Sequence, residues 1–157
     1  LTEIRPMLRI YRLPITVTED CIDVLGHTNN KEYLRWMEEA AISHSDALGW
    51  NMERYLKLGA AFAATVHKIH YLRPTHVGDE LIMNTWVETL EKTISRRAFY
   101  LTRGGKVCMN GTTEWTFINL KTGRAEEIPP EVAEAFPIVP KGDPLLRENG
   151  IRWLEIP

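Results

Sequence analysis

Residues 23–49 read DVLGHTNNKEYLRWMEEAAISHSDALG, and their pattern decides the fold. Tyr33, Trp36, Met37, Ala40, Ala41, His44, Ala47 and Leu48 recur at steps of three and four, which puts them on one face of a helix. Asn29 or Asn30 is a natural N-cap, because its side-chain oxygen can accept a backbone N–H that the first turn leaves unpaired. Gly49 is a natural stop. The spacing predicts a helix of roughly 18 residues, about 27 Å long at 1.5 Å per residue. Two aromatics on its apolar face mark it as a core helix. The residues ahead of it, Asp23 to Asn29, are polar and glycine-containing, as a loop requires.

Outward from this helix the period changes. Residues 7–17 (MLRIYRLPITV) are apolar and β-branched and predict a strand, with Pro14 restricting it to a sheet edge or a bulge. A short helical turn is expected over 51–58. From residue 60 the pattern is that of strands: AAFAATVHKIHYL, then a break with Pro74 and Gly78, then ELIMNTWVET and TISRRAFYLT. Gly104-Gly105 reads as a two-residue hairpin turn into KVCMNGTTEWTFINL. In that last strand, alternation puts Val107, Met109, Trp115 and Phe117 on one face and Asn110, Thr112, Glu114 and Thr116 on the other. PPEVAEAF (129–136) predicts a short helix with proline at its start. Residues 137–157, with Pro137, Pro140, Pro144 and Pro157, read as an extended tail. Strand, long helix and four strands together predict an α+β fold: an antiparallel sheet wrapped around one central helix.

The bulk numbers narrow the function classes. The chain has 157 residues, enough for one domain with a real core, and a formal net charge of −2. That charge gives no basic field for nucleic acid. No apolar run approaches the ~20 residues that span a bilayer, and the first residues lack a leader pattern. Cys21 and Cys108 form no CxxC, and neither they nor the five histidines show zinc-ligand spacing. Asp23, His27 and His44 likewise match no ligand pattern. A cytoplasmic protein with reduced thiols, no metal and no cofactor is expected.

Three blocks carry a resemblance. Asp23, Gly26 and Tyr33 in D-V-L-G-H-T-N-N-K-E-Y resemble the helix-opening signature of the hot-dog-fold acyl-CoA thioesterases of the 4-hydroxybenzoyl-CoA thioesterase type. HKIHYLRPTHVGDEL resembles that family's passage into the next strand, and WTFINLKTGR followed by IPPE resembles its end. The likeness covers roughly residues 8–136. It implies a single hot-dog domain over 1–136 with a proline-containing C-terminal tail over 137–157. It also implies hydrolysis of an acyl-CoA thioester to free acid and CoA, and a homodimer or homotetramer with sites at the subunit interface.

On its residues alone, Asp23 fits a turn-capping aspartate as well as a catalytic one. The resemblance implies the second, as nucleophile or general base. A carboxylate just ahead of a helix N-terminus also makes chemical sense, because the free N–H groups and the positive end of the helix dipole can hold a developing oxyanion. By the family pattern that N–H comes from Asn30. His27 is a further candidate for orienting water or the carboxylate. Glu38 is an alternative acid on the helix, and His67 and His70 read as sheet histidines. Tyr33 is a candidate pocket wall, and Arg73, Arg96 and Arg97 (with Arg103 and Lys106) are candidates for CoA phosphates at the pocket mouth.

Two other functions compete. Hot-dog enoyl-thioester hydratases or dehydratases resemble D-x-N-P-x-H, whereas here Asp23 and His27 are four apart and the Asn-Pro is missing. A non-catalytic acyl-CoA-binding module would have no need for an acid at the helix N-terminus.

Overall fold

The structure, a computed structural model, describes residues 8–153. Five strands form one antiparallel sheet in the order β1-β3-β4-β5-β2. They are β1 (Tyr11–Thr16), β2 (Ala60–Tyr71), β3 (Glu80–Glu91), β4 (Ile94–Arg103) and β5 (Lys106–Asn119). Between β1 and β2 lie a 3-10 turn (Glu19–Cys21), the 18-residue helix α1 (Asn30–Ala47) and the short helix α2 (Met52–Leu58). Two further short helices follow the sheet, α3 (Pro130–Ala133) and α4 (Pro144–Glu148). Met7 and Pro157, which the expected first strand and tail include, lie outside the described residues. Among those described, no helix is long and apolar enough to cross a membrane.

The long helix follows its apolar spacing. Tyr33, Trp36, Met37, Ala40, Ala41 and His44 are all buried, and the first five pack on the inner face of the sheet against Leu81, Met83, Phe99, Leu101 and Met109. Asn29 is the N-cap, its side chain accepting the Lys31 N–H at 3.1 Å. The sheet makes room for the helix at Gly111. A Cβ there would sit 2.8 Å from the Lys68 carbonyl oxygen and 3.4 Å from the Met37 methyl. Pro14 lies on β1, an edge strand that among the described residues pairs only with β3, where its missing N–H costs no ladder bond. Gly104 and Gly105 both have positive φ, as a tight hairpin with primed geometry needs.

Two expectations need correction. Val107 does not share a face with Met109. The β4–β5 register shifts between the Leu101–Met109 and Thr102–Val107 pairs, so the extra residue, Cys108, turns Val107 to the outer face, where it packs beside Trp86 and Tyr100. Residues 137–153 are also more than an extended tail. They place Val139, Leu146, Ile151 and Trp153 over Ile10, Trp86, Ala98 and Tyr100 on the outer face of the sheet. Asp143 caps α4 and pairs with Arg9 at 2.9 Å, which ties this segment to the start of β1. The β3 and β4 half of the outer face is therefore covered, while β5 keeps polar Thr112, Glu114 and Thr116 there.

Candidate active site

Asp23 sits in a small closed loop. Ile22 and Thr28 form an isolated antiparallel bridge, and the Asp23 N–H donates to the His27 carbonyl at 2.8 Å. Gly26 turns the chain at φ +79, a region that disfavours side chains. Within the loop Asp23 Oδ1 accepts the Leu25 N–H at 2.9 Å and the His27 N–H at 3.4 Å. Oδ2 makes no hydrogen bond among the described residues. The carboxylate is thus oriented by one oxygen and unengaged at the other.

The helix N-terminus next to this loop is partly satisfied. The Lys31 N–H goes to the Asn29 side chain and the Glu32 N–H to the Asn29 carbonyl. The Asn30 N–H makes no hydrogen bond among the described residues. The strand-linking segment holds the loop down. The Thr28 N–H and hydroxyl both donate to the Thr75 carbonyl, at 3.0 and 3.1 Å, and the Tyr33 hydroxyl lies 2.9 Å from that of Thr75. Burial pushes the Tyr33 hydroxyl above its usual pKa, against the opposing Thr75 bond. Thr75 is a residue that the sequence reading missed, since a lone threonine after Pro74 carries no signal until the fold closes around it.

His27 is exposed and meets the ring of His76 edge-on at 5.2 Å. Beside His76, Asp79 accepts from the His76 N–H and from Arg103 Nη1. Burial works to raise the Asp79 carboxyl, but these two donors outweigh it and hold the group below its ordinary value. Arg73 is exposed at the same end and donates to the Val107 carbonyl.

The other arginines are elsewhere. Arg97 and Arg103 are six residues apart on β4, about 20 Å at 3.3 Å per residue. Arg96 points to the outer face, 3.4 Å from buried Glu88. Arg97 points inward and is only 5% exposed. The two therefore cannot share one ligand's phosphates, and Arg97 is not at a mouth. His44 is also remote from Asp23, near the end of α1.

A second feature lies at that far end. A cavity of about 350 Å³ opens between the C-terminal half of α1, α2 and the sheet, walled by Ala41, Ile42, Phe62, Leu90, Trp115 and Phe136. Glu38, exposed, stands on its lining, as do Ser45, Tyr55, Ser95 and Arg97. From Asn30 to the lining residues between Glu38 and Ser45 is about 12–22 Å along the helix axis, so within one chain the helix N-terminus and the cavity lie apart.

Residues 17–136 match the Thioesterase-like superfamily. A long-chain acyl-CoA thioesterase of Escherichia coli, FadM, is 28% identical over 118 residues, covering 72% of this chain and 86% of that protein. The solved structure of a probable thioesterase from E. coli, YbaW, is similar at a TM-score of 0.69 with 26% identity, over 80% of this chain and 95% of that one. A DHNA-CoA thioesterase from Staphylococcus aureus shares the fold at a TM-score of 0.75 and 20% identity, over 94% and 98% of the two chains. With its five-stranded antiparallel sheet wrapped on one central helix, the chain belongs to the thioesterase-like superfamily of hot-dog thioester hydrolases.

Proposed function

We propose that this protein hydrolyses acyl-CoA thioesters, with Asp23 as nucleophile or general base and the Asn30 N–H as oxyanion donor. The observation that carries this reading is that, among the described residues, Asp23 keeps one carboxylate oxygen unengaged and the Asn30 N–H at the helix N-terminus that follows makes no hydrogen bond. The positive end of α1 favours the negative charge that grows on the thioester oxygen. Asp23, or a water it deprotonates, adds to the carbonyl carbon. Collapse of the tetrahedral intermediate breaks the C–S bond, and the CoA thiolate leaves and takes up a proton. Where Asp23 itself attacks, a water then cleaves the resulting anhydride. His27 orients the water, Tyr33 holds the Thr75 segment under the loop, and Arg73 with Arg103 faces the CoA phosphates.

The active unit in this reading is a homodimer formed through β2. Among the described residues this strand pairs only with β5, and Ala64 to Lys68 are exposed along its open edge. A two-fold axis near Val66 would lay the Ile69–Tyr71 end of one β2 beside the Ala61–Ala64 end of its partner's. The first end carries Tyr71, whose ring meets Tyr33 of α1 at 5.2 Å, and the second walls the cavity. The helix N-terminus of one protomer then arrives at the cavity of the other, and acid and acyl pocket meet across the interface. Residues 1–136 form the catalytic domain in this proposal and 137–157 an appended segment, whose described part, 137–153, covers the sheet.

The test is release of free thiol from a panel of acyl-CoAs, wild type beside Asp23→Asn. Loss of an essential base or nucleophile is expected to lower the rate at least ~10²-fold. A folded variant that keeps its rate would remove Asp23 from the mechanism and turn attention to Glu38.

A further inference from the structure

Arg97 is the most unusual group in the cavity. It comes from β4, between Ser95 and Phe99 on the inner face, and it is buried. Its Nη1 donates to His44 Nδ1 at 2.9 Å and to the Thr85 hydroxyl at 3.2 Å. Nε and Nη2 make no hydrogen bond among the described residues, and no carboxylate among them pairs with the guanidinium.

Its neighbours do not supply the missing charge. Because His44 Nδ1 accepts from Arg97, His44 carries its proton on Nε2, which donates to the Leu8 carbonyl at 2.5 Å. The ring is therefore neutral, and burial together with the Arg97 charge holds its pKa down at about 3. The nearby hydroxyls are also committed. Ser45 donates to the Trp50 carbonyl and accepts from Tyr55, and Ser95 donates to the Thr89 carbonyl. Burial lowers Arg97 only to about 10, so it stays cationic at neutral pH. Glu38, the one acid on the lining among the described residues, is exposed. An unpaired buried cation is costly unless something anionic completes it, and a guanidinium fork suits a carboxylate.

We propose that Arg97 makes the inner part of this cavity a carboxylate receptor, so that the acyl group this enzyme takes bears a second carboxylate at its distal end. The acyl part of this statement rests on the thioesterase reading above; the receptor part does not. The apolar wall of Ala41, Ile42, Phe62, Leu90 and Trp115 would hold the methylene chain, and Arg97 would select its terminus.

Two measurements on the full chain separate these parts. The first is calorimetric binding of free α,ω-dicarboxylates against monocarboxylates of matched carbon number, short, medium and long. The second is kcat/KM for thiol release from the corresponding ω-carboxyacyl-CoA and acyl-CoA pairs. Wild type is expected to prefer the dicarboxylate member at least ~10-fold in both at its best length, the scale of one charge-assisted hydrogen bond. Arg97→Met is expected to lower that ratio by a similar factor, with Arg97→Lys recovering part of it. The wild-type comparison stands even if Arg97→Met fails to fold. Equal or better binding of methyl-ended chains at every length would overturn the receptor, whether or not those chains are hydrolysed. Preference for dicarboxylates without thiol release from any acyl-CoA would uphold the receptor and remove the thioesterase reading.

Discussion

His44 shows how one buried side chain sets a condition on the whole protein. It is fully buried, fixed in a single tautomer by Arg97 and the Leu8 carbonyl, and stacked on Tyr11 at 5.3 Å. Its folded pKa, about 3, lies below the ordinary histidine value of 6.5. The unfolded chain therefore binds the extra proton first as pH falls. The stability linked to His44 is complete above pH 6.5 and declines as pH drops toward 3, at up to about 1.4 kcal/mol per unit. Urea unfolding midpoints measured at pH 7 and pH 5 should differ in that direction. His44→Gln, which can still accept from Arg97, should be less stable at pH 7 but show a shallower pH slope. An unchanged slope would assign the acid sensitivity to other groups.

The central helix and the strand beneath it fit each other through small contacts. The Asn29 cap satisfies one N–H of the first turn, and Asn29→Ala should cost about 1 kcal/mol in chemical denaturation. Because the Asn29 side chain also fixes which N–H stays free, thiol release should fall more than the stability loss alone explains. Gly111 is the tighter constraint. A methyl group there meets the Lys68 carbonyl, which is backbone and cannot swing away. Gly111→Ala should destabilise by about 1–3 kcal/mol, read as a lowered Tm with secondary structure retained in circular dichroism.

These same elements show what could be read in advance. The face of α1, its Asn29 cap, the edge position of Pro14 and the Gly104-Gly105 turn each depend on residues close in sequence, and local pattern was enough. The side Val107 takes depends on one extra residue in a ladder. The depth of Arg97 depends on α1, α2 and Phe136 closing over it from far along the chain. Neighbouring Arg96 and Arg97 look alike in sequence, but strand alternation sends one to Glu88 on the outer face and the other to His44 inside. Thr75 gains its partners, Thr28 and Tyr33, only once the loop and the helix have met. The position of Asp23 before the helix was legible from the family pattern; the engagement of just one of its oxygens was not.

The proposed assembly makes demands that can be checked without any substrate. Of the two sheet edges, β1 is short, with six residues, and carries Pro14, whereas β2 has twelve and exposes Val66 and Tyr71. An edge of that length, with no partner among the described residues, invites pairing with another copy. If β2 pairs with itself, sedimentation equilibrium should report a dimer or a multiple of it, and amide exchange along residues 64–68 should be slow despite their exposure in the single chain. Val66→Pro, near the proposed two-fold, removes an N–H and introduces a ring there. It should shift the protein toward monomer. In the proposed dimer, cavity and helix N-terminus meet across the interface, so thiol release should fall with the dimer fraction and recover as protein concentration rises. A monomeric variant with undiminished activity would place acid and acyl pocket within one chain, which the 12–22 Å along α1 from Asn30 to the cavity lining argues against.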